Sequence, residues 1–119
     1  MTNPSYVRYL LALRRLNKSD GIKSIDVARM LNVTKNSVHH MMETFIRLEY
    51  IEKERGGLIF LTSHGIHHAE RYGRLYDRII EKLFAGCLTD DSAEKAICAM
   101  IADLSEEHCK ILLHGVLTS

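Results

Sequence analysis

A single segment decides the fold of this chain, Ser24-Ile-Asp-Val-Ala-Arg-Met-Leu-Asn-Val-Thr34-Lys-Asn-Ser-Val-His-His-Met-Met-Glu-Thr-Phe45. Apolar residues recur at helical spacing on both sides of Asn32, and asparagine tolerates the left-handed backbone conformation of a tight turn. Thr34 is a residue type that caps helices, and small, polar and basic residues follow it. Two short helices around a tight turn are typical of a helix-turn-helix, whose second helix fits the major groove of DNA.

The residues directly behind this segment predict a β-hairpin. Ile51-Glu-Lys-Glu-Arg55-Gly56-Gly57-Leu-Ile-Phe-Leu61 places two short β-prone runs around a Gly-Gly turn. A hairpin in this position is the wing of a winged helix-turn-helix. The function class that this pattern favours is a DNA-binding transcriptional regulator.

The remaining segments predict helices. Tyr6 to Leu16 carries one apolar stripe, a long helix begins at Thr62 or Ser63 and ends near Ala85-Gly86, and two short apolar helices follow. We therefore predict a mainly α protein with a small β-hairpin. Residues 1–65 form a winged helix-turn-helix DNA-binding domain, and residues 66–119 form an α-helical dimerisation domain.

The last two predicted helices carry more apolar residues than two short helices bury alone: Ala96, Ile97, Met100, Ile101, Ile111, Leu112, Leu113, Val116 and Leu117. One explanation is packing against the long helix of the same chain. The other is a homodimer interface, which we favour because helix-turn-helix proteins commonly read palindromic operators as two-fold dimers.

Charge is unevenly distributed along the chain. The net charge is only +1, but residues 1–75 hold twelve basic and seven acidic side chains, whereas residues 76–119 hold four basic and eight acidic ones. A basic half that coincides with the helix-turn-helix is expected of a domain that faces phosphates. The predicted partner is therefore double-stranded DNA.

Several other classes of protein are not indicated. No apolar run approaches the roughly 20 residues that span a bilayer, and no signal-peptide pattern is present, so we expect a cytoplasmic protein. The three cysteines are widely spaced and form no CxxC pair. The sequence contains no GxSxG, no phosphate-binding glycine loop and no HExxH, so no enzyme activity is predicted.

The residues predicted to contact DNA are Thr34, Lys35, Asn36, Ser37, His39, His40, Lys53 and Arg55. Asparagine can read adenine with two hydrogen bonds, and lysine reaches guanine or phosphate. Thr34 and Ser37 are placed to donate to phosphates, and the two wing cations are placed for phosphate or the minor groove. The alternatives are an ordinary solvated helix start and an exposed hairpin charge.

Two histidines form a weak candidate for a metal site. His64 and His68 are four residues apart, which brings both imidazoles to one face of a helix. No third ligand with suitable spacing accompanies them, and surface histidines near phosphates are an equal explanation. No cofactor is predicted.

Short motifs distributed along the chain carry a family resemblance: Pro4-Ser5, Asp26-Val-Ala28, Leu31-Asn-Val33, Ser37-Val38, Glu49-Tyr-Ile-Glu52, Gly57-Leu-Ile-Phe-Leu-Thr62 and Leu104-Ser105. With them the chain resembles the metal-dependent repressors of the diphtheria toxin repressor and manganese transport regulator family. The resemblance is strongest from residue 24 to residue 65. It implies a winged helix, a helical dimerisation domain and repression by a homodimer bound to a palindromic operator.

The chain departs from this family at its metal site. The resemblance implies manganese or iron ligands, but the matching positions hold Arg8, Leu11, Tyr76 or Asp77, Cys98, Ile101 and Ala102. Hard divalent ions need several oxygen ligands. We therefore expect no activation by Mn²⁺ or Fe²⁺ at this site.

Arg8 stands where the resemblance implies a carboxylate ligand. One hypothesis is that an ion pair between Arg8 and Asp77, or another acid, replaces the metal as a lock between the two domains. The alternative is a decayed site with a solvated Arg8. Two other functions stay open for the whole chain: a winged-helix regulator that responds to an organic ligand, and a winged-helix protein-interaction module.

Overall fold

The structure is a computed structural model that describes residues 3–83 and 90–114. Over these residues the chain forms six α-helices and one hairpin: α1 (Pro4–Leu16), α2 (Ser24–Leu31), α3 (Lys35–Arg47), β1 (Ile51–Lys53), β2 (Ile59–Leu61), α4 (Ser63–Leu83), α5 (Asp91–Asp103) and α6 (Glu106–His114). The prediction of a mainly α protein with a small hairpin is confirmed. The expected end of the long helix at Ala85-Gly86, and the apolar residues Val116 and Leu117, lie outside the described residues.

The chain divides into two compact units, Tyr9–Glu70 and the residues before and after this range. The first unit contains the helix-turn-helix and the hairpin. The second is built from the first residues of α1, the later part of α4, and helices α5 and α6. The division into functional domains at residue 65 stays a prediction.

The turn between α2 and α3 follows the expected chemistry. Asn32 adopts the left-handed conformation with φ 54° and ψ 51°, and the side chain of Thr34 caps α3. Helix α2, in contrast, begins at Ser24 behind Lys23, whose side chain makes no cap hydrogen bond. Ser24, a residue type that often caps helices, is already helical here.

In the unit Tyr9–Glu70, helices α2 and α3 each contribute one face to the core. Val27, Ala28 and Leu31 of α2 are buried, as are Val38, Met42 and Phe45 of α3. Val27 and Val38 are the β-branched members of the two sets, and both are completely inaccessible to solvent. Leu48 is exposed, because α3 ends at Arg47 and the helical spacing ends with it.

The hairpin has antiparallel register, with Ile51 opposite Leu61 and Lys53 opposite Ile59. A third segment extends it: Ile22 exchanges two backbone hydrogen bonds with Ile59, at 2.8 and 2.9 Å. The sequence predicted only the two strands of the hairpin and not this third segment. One residue of the loop before α2 thereby ties that loop to β2.

The start of α4 is held against the start of β1. Thr62 donates through its hydroxyl to the backbone carbonyl of Glu49 at 2.6 Å, and its N–H donates to the Tyr50 carbonyl at 3.0 Å. The Gly65 N–H donates to the Thr62 hydroxyl at 3.0 Å. A Cβ at Gly65 would collide with the Tyr50 carbonyl oxygen. Glycine is therefore required where α4 passes this backbone.

The second unit buries Leu75 and Ile79 of α4 together with Ile97 and Ile101 of α5. Helix α5 is capped by Asp90, whose side chain accepts from the Ala93 N–H. Asp91, the next residue, is already helical. None of the described helices is long and apolar enough to cross a membrane.

Candidate nucleic-acid interface

Helix α3 separates polar and apolar side chains between two faces. Val38, Met42 and Phe45 are buried, and every residue of its start that was predicted to contact DNA is exposed: Thr34, Lys35, Asn36, Ser37, His39 and His40. The separation follows from the helical period, which brings residues three and four apart to the same side. The first two turns of α3 therefore present a polar and basic edge to solvent.

Thr34 and Ser37 form two hydrogen bonds with each other at the beginning of α3. The Thr34 Oγ1 accepts from the Ser37 N–H and donates to the Ser37 Oγ, and both distances are 3.0 Å. A hydroxyl has a single proton, so the Thr34 proton is used inside this pair. The Ser37 hydroxyl keeps its own proton, which makes Ser37 the better phosphate donor of the two.

A carboxylate that sequence reasoning overlooked lies on the exposed edge of α3. The Nε2 of His39 is 2.9 Å from the Oε1 of Glu43, one turn further along the helix, and both side chains are more than half exposed. The spacing of four residues is the signal that would have revealed the pair. Glu43 orients His39 and brings a negative charge to the edge that faces away from the core.

The hairpin presents its cations at its tip. Lys53 ends β1, Arg55 begins the turn, and both are exposed. Gly56 and Gly57 have φ values of 82° and 78°, which side chains rarely tolerate, and no atom lies within 4 Å of a Cβ built at either one. The tip is therefore a tight, open turn, and Glu52 and Glu54 alternate with its two cations.

The histidines at the start of α4 form an aromatic cluster with Tyr50. The ring centroids of His64 and His68 are 4.6 Å apart, and the Tyr50 ring lies 5.1 and 4.9 Å from them. Within residues 3–83 and 90–114, no group of three His, Cys, Asp or Glu side chains is arranged to hold a metal ion. The geometry at these two histidines is that of ring packing.

Arg8 contacts an acid, but the acid is Asp91. Its Nη2 is 3.1 Å from the Oδ1 of Asp91, while the Oδ2 of Asp91 is 3.4 Å from the Nζ of Lys95. The hydrogen bond from Lys95, together with the charges of Lys95 and Arg8, lowers the pKa of Asp91 from its ordinary value of 3.8. Asp77, the partner that the sequence suggested first, is exposed on α4.

The family resemblance implies metal ligands at further positions. In this chain, those positions hold side chains that are buried or half-buried. Leu11, Tyr76, Cys98 and Ile101 are all buried, and Ala102 is half-buried. Thiol, phenol and hydrocarbon groups replace carboxylates and imidazole there. This donor set does not fit a hard divalent ion, which requires oxygen ligands.

No protein-family model and no curated protein sequence matches the chain. The solved structures that are similar to it include the following two. The hypothetical protein SSo2273 from Sulfolobus solfataricus is 20% identical, with a TM-score of 0.67 over 99% of this chain and 92% of that one. IdeR from T. acidophilum is 19% identical, with a TM-score of 0.64 over 98% of this chain and 54% of that one.

The chain thus spans about half the length of IdeR and nearly all of the Sulfolobus protein. At these identities the likeness concerns the fold alone. It supports the resemblance found in the sequence at that level: the chain has a fold like that of IdeR, with a helix-turn-helix and a two-stranded wing.

Proposed function

We propose that this chain is a sequence-specific DNA-binding transcriptional regulator, a repressor that binds a palindromic operator as a homodimer. The observation that carries the proposal is the exposed polar and basic edge at the start of α3, opposite a fully buried apolar face. The fold shared with IdeR supports it. Residues 1–65 are assigned to DNA binding and residues 66–119 to dimerisation.

The residues of α3 have distinct roles in this proposal. Asn36 reads a base edge in the major groove, with His39 and His40 beside it on the same exposed edge. Lys35 contacts guanine or phosphate, and the hydroxyls of Thr34 and Ser37 lie at a helix start, where backbone N–H groups favour phosphate. Lys53 and Arg55 of the wing bind the flanking backbone or minor groove.

The dimer is supported by apolar side chains that the second unit leaves accessible. Leu83 and Met100 are exposed, and Ile111, Leu112 and Leu113 of α6 are half-buried. Large apolar side chains in contact with water favour association, because burial of their surface is favourable. Two copies would place their α3 helices in successive major grooves, about one helical turn apart.

The ion pair of Arg8 takes the place of a bound metal in this proposal. The Arg8–Asp91 pair connects α1 to α5 at the position of a ligand carboxylate in the resembled family. Operator binding is then insensitive to a chelator and lost in Arg8→Glu, which places two carboxylates together. Unimpaired operator binding by Arg8→Glu would exclude this role of the ion pair.

The proposed function is tested by selection of bound duplexes from a random pool, with and without Mn²⁺, Fe²⁺ and Zn²⁺. We expect one enriched palindrome that is the same in all four selections. Lys35→Gln should reduce affinity for it, whereas Lys18→Gln, a matched change at an exposed loop lysine, should not. Failure to enrich any sequence would contradict the proposal.

A further inference from the structure

We propose that a pocket between α1 and α5 binds a small organic carboxylate. The pocket has a volume of about 280 Å³ and is lined by Pro4, Ser5, Arg8, Lys95 and Cys98. All five residues belong to the same compact unit. The site lies apart from the proposed DNA-binding edge and its binding tests need no DNA, but it includes the Arg8–Asp91 pair to which the proposed function gives a role.

The charged side chains among the lining residues are both cations. The side chain of Arg8 is only 15% exposed, whereas that of Lys95 is 60% exposed. A charge withdrawn from water is costly unless a counter-charge accompanies it. Asp91 supplies this counter-charge to the largely buried guanidinium, so the group that belongs beside Arg8 at the pocket wall is an anion.

Asp91 demonstrates which anion fits these two cations. One oxygen of its carboxylate is 3.1 Å from Arg8, and the other is 3.4 Å from Lys95. The spacing of the cations thus matches a carboxylate, and Asp91 serves as an internal competitor for a ligand.

Asp91 can exchange these contacts for contacts with solvent. The side chain of Asp91 is 66% exposed and lies at the first residue of α5, so it can turn into water without burying a charge. A ligand carboxylate bound in the pocket would then take its contacts with Arg8 and Lys95. Pro4 and Cys98 supply an apolar wall for the rest of the ligand.

Size and charge restrict the ligand further. The volume lies just below the range of roughly 300–1,000 Å³ that is typical of drug-sized ligands, so the ligand is small. A phosphate carries more negative charge than a carboxylate, and the single carboxylate of Asp91 already meets both cations. A monocarboxylate with a short apolar body fits best.

Calorimetric titration of the full chain tests this site with four probes: benzoate, butanoate, the neutral analogue benzamide and inorganic phosphate. We expect saturable binding of one carboxylate per chain, no binding of benzamide, and weaker binding of phosphate. Lys95→Gln should weaken carboxylate binding about tenfold or more, as expected for loss of a charge-assisted contact. Lys110→Gln, at an exposed lysine of α6 outside the pocket, should leave it unchanged.

Asp91→Asn provides the sharpest result, because removal of the internal competitor should tighten carboxylate binding. Lys95→Gln and Asp91→Asn both alter exposed side chains, and thermal melting verifies that each of these variants folds. The proposal is overturned if neither benzoate nor butanoate binds saturably, or if Lys95→Gln binds as the unmodified chain does. Unchanged or weaker binding to Asp91→Asn overturns it as well, and phosphate binding as tight as that of benzoate refutes the carboxylate assignment.

Discussion

The backbone N–H of Ser37 donates to the Oγ1 of Thr34 at 3.0 Å, and this hydrogen bond fixes the beginning of α3. It satisfies one of the N–H groups that have no partner within a helix. The cap thereby fixes the residue at which α3 begins, and the helical period then determines which side chains of its first turns face solvent.

Thr34→Ala should lower the free energy of unfolding by about 1 kcal/mol, because it removes the cap of α3. Thr34→Ser keeps the hydroxyl and should retain most of the stability. Chemical denaturation of the three proteins measures the difference. Equal stabilities for the alanine and serine variants would show that the hydroxyl does not stabilise α3.

Asn36→Ala should relax sequence preference, because it removes a contact to a base edge. Lys53→Ala should weaken binding to every sequence about equally and reduce the salt dependence, since a phosphate contact carries no sequence information. Titration of operator and random duplexes distinguishes the two effects. Equal losses on both duplexes for both variants would contradict the roles assigned to Asn36 and Lys53.

Gly65→Ala should destabilise the protein by about 2 kcal/mol or more, because a methyl group meets the Tyr50 carbonyl and backbone must move. Gly57→Ala is a useful contrast, since its Cβ meets no neighbour and the cost there comes from its positive φ alone. Thermal melting measures both. A Gly65→Ala protein at least as stable as Gly57→Ala would show that α4 is not held closely against Tyr50.

Asp91→Asn should reduce stability at neutral pH but not in acid. The pKa of Asp91 is lowered in the folded chain, so its contribution is present above its ordinary pKa of 3.8 and is lost as pH falls below that value. The difference in melting temperature between Asp91→Asn and the unmodified chain should therefore shrink as pH falls through the lowered pKa of Asp91. Asp77→Asn, at an exposed residue of α4, is the matched control. The reverse pattern would restore the pairing that the sequence suggested first.

Local chemistry explains which parts of this fold were predictable. Asn32 and Thr34 act on neighbouring backbone, so the turn and the cap of α3 follow from residue type and position. The contacts of Ile22 with Ile59, and of Gly65 with Tyr50, join segments far apart in the sequence. No residue pattern within either segment indicates its partner.

The candidate site was predictable to a similar extent. Helical period alone places Lys35, Asn36 and His39 on the exposed edge of α3, but the pairing of His39 with Glu43 was overlooked. Arg8 was singled out because of the family resemblance, while Asp91 was covered only by the general expectation of another acid. Asp77 and Asp91 are both acidic residues in helices, and only tertiary packing decides which of them reaches Arg8.

The most direct test of the account is the affinity of the protein for its selected duplex as a function of salt concentration. If Lys35, Lys53 and Arg55 of each of two subunits contact phosphates, the logarithm of the binding constant should fall linearly with that of the salt concentration, with a slope of about −5. A slope near zero would contradict the claim that the edge of α3 and the wing bind DNA.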